Sequence, residues 1–129
     1  EAMDRFSEAL DLTFKEPAIA HVDAFEQPSG TSVLDLRITW SVQGPPYLEL
    51  LESQDDEGLY GYHHEGLHHI GLWESKPEEL VERLIGLGLR KEATQYTPRG
   101  SILATYTAPQ ELYGTRLEFI EEGRRFMDV

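Results

Sequence analysis

A five-residue pattern occurs twice in this chain, and that repetition constrains its fold more than any other feature. Leu48-Glu49-Leu50-Leu51-Glu52 returns as Leu117-Glu118-Phe119-Ile120-Glu121, an offset of 118 − 49 = 69 positions. Leu10 and Leu12 correspond in the same way to Leu87 and Leu89 at an offset of 77, so the first half holds about eight more residues between its helix and its last strand. Two copies of one unit are expected to fold as two similar halves packed together. In both copies the glutamate stands between apolar residues in a strand-like run. Its carboxylate therefore points away from the face that those neighbours bury, toward whatever the two halves enclose. A carboxylate facing an enclosed space is costly unless it is paired or coordinated, which marks Glu49 and Glu118 as candidates for chemistry.

The halves are joined by Gly66-Leu67-His68-His69-Ile70-Gly71-Leu72-Trp73. Read as a strand, this run puts Leu67, His69, Gly71 and Trp73 on one face and His68, Ile70 and Leu72 on the other, so only one of the two histidines is expected to enter a site. Lys76-Pro77-Glu78-Glu79 then reads as a helix start, with Leu80, Val81, Leu84, Ile85 and Leu87 as its buried stripe and Gly88 as its stop. Residues 89–95, 101–107 and 115–121 read as three strands, separated by turns at 98–100 and 109–114. The first half follows the same plan. Residues 1–11 carry a helical stripe of Ala2, Met3, Phe6, Ala9 and Leu10, and residues 18–25, 32–42 and 47–52 read as strands. In the second of these Leu34, Leu36, Ile38, Trp40 and Val42 share a face. Residues 54–65 form a polar loop in which His63 and His64 are expected at the surface, and residues 123–129 read as a tail. Each unit is thus strand, helix, three strands, except that the first lacks its opening strand. If Glu1 corresponds to Glu78, the counterpart of His69 falls nine residues before Glu1.

Composition narrows the function classes. The length of 129 residues suits one domain. With 24 acidic and 11 basic residues the net charge is −13, which argues against nucleic acid and anionic membrane surfaces as partners. There is no cysteine, so a metal site would have to use histidine and carboxylate. No apolar run approaches the roughly 20 residues of a membrane span, and a cytoplasmic protein is the expectation. Phosphate-binding glycine loops, a serine elbow and a cysteine–histidine pair are all missing.

Gly66-Leu67-His68-His69-Ile70-Gly71, the helix ending in Leu87-Gly88-Leu89, and the paired strands around Glu49 and Glu118 together resemble the vicinal oxygen chelate superfamily. That superfamily includes glyoxalase I, methylmalonyl-CoA epimerase, extradiol dioxygenases and bleomycin-resistance proteins. The resemblance implies an α+β fold in which two βαβββ units form a glyoxalase-like cup: residues 1–129 as one domain, 1–62 as unit one without its first strand, and 66–122 as unit two. It assigns His69, Glu49 and Glu118 as ligands of a divalent ion (Zn, Mn, Co, Ni or Fe), with a fourth ligand in the absent strand. Glu118, and after it Glu49, is the proton-transferring group, and Trp40, Tyr47, Trp73 and Tyr106 are candidate pocket residues. The implied activity is that of a metal-dependent isomerase or lyase moving a proton beside a carbonyl of a small metabolite, in a homodimer. Two alternatives stay open: a metal-free protein that sequesters a small ligand, as bleomycin-resistance proteins do, and an extradiol-type dioxygenase. His68 is expected to pack, or to form a hydrogen bond, on the face opposite His69.

Overall fold

A computed structural model describes residues 1–54 and 57–123. Its elements follow the repeat: α1 (Ala2–Leu10), β1 (Ala18–Gln27), β2 (Gly30–Trp40) and β3 (Glu49–Leu51), then β4 (Ile70–Glu74), α2 (Pro77–Gly86), β5 (Lys91–Tyr96), β6 (Ile102–Thr107) and β7 (Leu117–Glu121). The runs 123–129 and 54–65, read as tail and loop, lie partly outside the described residues.

All seven strands join one sheet in the order β3-β2-β1-β5-β6-β7-β4. The order is symmetric about the β1/β5 seam, with β3-β2-β1 on one side and β7-β6-β5 on the other, so the two glutamate strands occupy equivalent places. The seam is short: Ala24, Phe25 and Glu26 pair with Tyr96, Gln95 and Thr94. The second half also carries β4, which lies parallel to β7 with Gly71 opposite Glu118. In a flat sheet β3 and β7 would stand five strand spacings apart, roughly 24 Å. This sheet is not flat. The register slips between Val22 and Phe25 in β1 and at two places in β5, and such irregularities bend a strand and increase its twist. The outcome is a curled half-barrel.

Alternation along the strands sends Val22, Phe25, Leu36, Ile38, Ala93 and Tyr106 to the concave side, where Leu59 and Tyr60 from the connecting loop complete the buried cluster. Trp40 and Leu51 pack at its margin. Val42, expected on the same face, is exposed because β2 ends at Trp40. There the Ser41 hydroxyl accepts the Leu48 N–H at 2.9 Å and donates to the Gln43 carbonyl at 2.9 Å, turning the chain. On the convex side α2 buries Pro77, Leu80, Val81 and Leu84. Ile85 and Leu87, also expected in that stripe, are exposed: Ile85 is rotated round the helix from Leu84, which is buried, and Leu87 is the C-cap beyond the last helical residue. The amphipathic α1 forms as expected, yet none of its residues is buried. Among the described residues no helix is long and apolar enough to cross a membrane.

Candidate functional site

Curling of the sheet brings three distant residues together. His69, at the entrance to β4, has its Nε2 at 3.3 Å from Glu118 Oε1 and 3.5 Å from Glu49 Oε1. The three side chains are only 8%, 12% and 17% exposed in the order His69, Glu118, Glu49. Glu118 is the second residue of β7, on the cup face, and Glu49 opens β3 opposite Trp40. Gly71 keeps the space in front of Glu118 clear. A Cβ there would already meet Ile120 Cδ1 at 3.4 Å and Glu118 Oε1 at 3.6 Å, so any longer side chain would crowd the carboxylate.

Burial works against the charged form of His69, but hydrogen bonds to Glu118 and Glu49 and the charges of both carboxylates outweigh it and raise its pKa to about 9. Burial also raises the pKa of Glu49, and the neighbouring Glu118 charge adds to this while His69 opposes it. The folded chain therefore holds a proton on His69 that the unfolded chain releases above pH 6.5. Stability from this proton is complete below pH 6.5 and is lost as pH rises through about 9. Urea unfolding of metal-free protein should accordingly show a decline of up to about 3 kcal/mol over that window. His69→Gln should flatten the decline; an unchanged slope in that variant would show that His69 does not carry the charge.

Behind Glu118 stand two buried tyrosines. The Tyr106 hydroxyl donates to Glu118 Oε2 at 2.5 Å, and Tyr60 is hydrogen-bonded to the Tyr106 oxygen. Because the Tyr106 proton goes to the carboxylate, Tyr60 is the donor of the pair. Burial, and then the Glu118 charge, push both phenol pKa values well above 10, so both hydroxyls keep their protons. A small cavity of about 80 Å³ opens here, with Val22, Leu36 and Ile38 on one wall and Glu49, Glu118 and Tyr106 on another. Trp40 does not line it; paired across the strands with Glu49, it has its indole Nε1–H buried without a hydrogen-bond partner among the described residues. Tyr47 packs on Gly44 and Trp73 is exposed on β4; neither lines the cavity.

His68 departs from the expected geometry. Strand pairing starts only at Ile70, so strict alternation does not apply to the two histidines, and both rings turn inward. Their Nδ1 atoms are 2.8 Å apart. His68 stacks on Tyr60 and donates from Nε2 to the Leu59 carbonyl at 2.7 Å. That carbonyl also accepts from His64 Nδ1 at 2.8 Å, which fixes His64 to the loop while His63 stays exposed. Burial lowers the His68 pKa to about 4. The backbone of the pair is held by Arg116, whose Nη1 donates to the His68 carbonyl at 2.9 Å while Nε and Nη2 grip Glu92 at 2.7 and 3.1 Å. Tyr60, His68 and Arg116 were not foreseen as parts of the site. Arg116 directly precedes β7, next to Glu118, and that placement was the one available clue.

No family model matches the sequence, and neither does any curated protein. By structure the chain is similar to the crystal structure of methylmalonyl-CoA epimerase from Mycobacterium tuberculosis, with a TM-score of 0.62 and 15% identity over 99% of this chain and 83% of that one. The fold is a glyoxalase-like cup. At this identity the likeness speaks for the fold alone, so the chemistry has to be argued from the triad. Among the described residues no group of three or more histidine and acidic side chains is placed so that it could hold a metal ion as it stands. The donor set itself does suit a cation. Two carboxylates and one imidazole nitrogen converge, with nitrogen–oxygen separations of 3.3 and 3.5 Å. Neighbouring ligands with bonds of about 2.0–2.1 Å in a tetrahedral shell stand at about that separation.

Proposed function

We propose that the cup is the active site of a metal-dependent isomerase or lyase that transfers a proton next to a carbonyl of a small metabolite. The observation that supports this is the convergence of Glu49 and Glu118, from strands far apart in the sheet, on one imidazole nitrogen. His69 Nε2, Glu49 and Glu118 would hold a divalent ion, which supplies Lewis acidity toward two neighbouring substrate oxygens. Glu118 moves the proton, since it lines the cavity and its Oε2 is held by Tyr106 while Oε1 faces His69. The protonated Tyr106–Tyr60 pair keeps that carboxylate oriented, and the aliphatic wall keeps water away from it. A cavity of about 80 Å³ suits the reacting end of a small molecule.

Calorimetric titration of metal-free protein with Zn²⁺, Mn²⁺ and Co²⁺ tests the reading, with binding of one ion per chain expected. Absence of binding by all three would leave the second reading, a metal-free ligand-binding cup. That reading is favoured by the raised pKa of His69, which gives the two carboxylates a counter-charge of their own.

We further propose a homodimer formed through β4. This edge strand exposes Ile70, Leu72 and Trp73, an apolar surface on an open edge. Light scattering is expected to give twice the chain mass of 14.7 kDa, and Leu72→Lys the single mass. A wild-type monomer at every concentration tried would refute the interface.

A further inference from the structure

The two imidazoles at the entrance to β4 form a hydrogen-bonded pair whose proton positions follow from their neighbours. His68 Nε2 lies 2.7 Å from the Leu59 carbonyl oxygen, which only accepts, so His68 carries a proton on Nε2. The two Nδ1 atoms at 2.8 Å need one proton between them, and one of them must present a lone pair. If His68 supplied that proton it would be a cation. Its surroundings oppose this: a carbonyl at one end, the Tyr60 ring against its face, and the Arg116 guanidinium bonded to its own backbone oxygen. With its one proton on Nε2, a neutral His68 presents the lone pair of Nδ1 to His69. The bridging proton is therefore on His69 Nδ1, and His68 accepts it.

We propose that His68 is a positioning residue that fixes a proton on His69 Nδ1 and so leaves Nε2 as the nitrogen offered to whatever Glu49 and Glu118 hold. The proposal deepens the metal reading above and rests on it for its functional value. Its structural core stands apart, because the hydrogen bond exists without any ion. Fixing the second nitrogen of a ligating histidine in this way sets both the tautomer and the angle of the ring, and loss of such a partner lowers metal affinity by about 10–100-fold. Here the partner is another histidine, itself braced on a carbonyl that also holds His64. Leu59, Tyr60 and His68 thus bear together on the orientation of one nitrogen.

The test has two arms. In metal-free protein labelled with ¹⁵N in its imidazoles, NMR should show His68 neutral with its proton on Nε2, and a nitrogen–nitrogen scalar coupling between the two Nδ1 atoms. A proton on His68 Nδ1, or absence of that coupling, overturns the proposal. In the second arm Zn²⁺ alone is the probe. His68→Phe retains a ring against Tyr60 but removes the acceptor, and should bind Zn²⁺ about 10–100-fold more weakly. His68→Asn places an amide oxygen near the lost nitrogen and should recover most of that affinity. Equal affinity of His68→Phe and wild type would also overturn the proposal. If the wild type binds no Zn²⁺, the metal reading fails, and the coupling alone decides for or against the role of His68.

Discussion

His69→Ala is expected to reduce Zn²⁺ affinity by well over 100-fold, more than removal of any residue outside the triad. Loss of a partner that merely orients a ligand costs about 10–100-fold, and His69 is the ligand itself. The substitution also takes away the positive charge beside two nearly buried carboxylates, so the metal-free variant should be less stable at neutral pH and regain stability as pH falls and Glu49, whose pKa burial raises, takes up a proton. Glu118→Gln should behave differently. Glutamine retains an oxygen near the same place, so metal affinity falls less than in His69→Ala, but it cannot take up a proton as a carboxylate does. Deuterium wash-in from heavy water, followed by NMR on small keto acids and thioesters that the wild type exchanges, should drop by about 10²–10⁴-fold in Glu118→Gln. Full exchange activity in that variant would remove Glu118 from its role as the proton carrier.

Arg116→Met is expected to be the most destabilising single substitution at the rear of the site, at about 3 kcal/mol by urea unfolding. The Arg116 side chain is 8% exposed and grips Glu92 with two nitrogens. Breaking a buried pair by removing one partner costs about 3–5 kcal/mol, and the lower end applies because Glu92, at 21% exposed, can still reach water. The loss extends to the His68 carbonyl, which Arg116 Nη1 holds. Arg116→Lys should recover little of it, since an ammonium cannot span Glu92 and a backbone carbonyl with a planar fork. A destabilisation under about 1 kcal/mol in Arg116→Met would show that Glu92 and His68 find other partners.

The repeat made much of this legible. Residues 48–52 and 117–121 carry the same pattern and occupy equivalent places in the sheet, and a period-2 pattern is enough to say which way Glu49 and Glu118 point. The helix start at Pro77 was equally readable, because a proline followed by acids acts locally. What the pattern did not reach was the space between elements. For His68 the expected packing and hydrogen bond are present, but not the expected face, because alternation holds only where a strand is paired and pairing begins at Ile70. Tyr60 comes from a polar loop without periodicity, and it enters the core through a contact 46 positions away in sequence. The stripe of α1 was read correctly as amphipathic, but amphipathicity does not state what covers the apolar face. Trp40, Tyr47, Trp73 and Tyr106 were grouped by residue type alone. Of these only Tyr106 lines the cavity, because it stands opposite Glu118 in the β6–β7 register.

The parallel pairing of β4 with β7 has a kinetic consequence. Ile70 meets Leu117 across 117 − 70 = 47 residues, whereas the β1–β2 hairpin closes at Gln27 and Gly30. Short closures form early, and contacts between distant residues wait until the chain between them has been ordered. His69 is therefore expected to reach Glu118 only after α2, β5 and β6 are in place, and to reach Glu49 only once the seam at Phe25 and Gln95 has joined the two halves. Intermediates with formed hairpins would lack the triad altogether. Any ion or ligand that needs all three side chains discriminates in favour of the completed fold and stabilises it by mass action without affinity for its precursors.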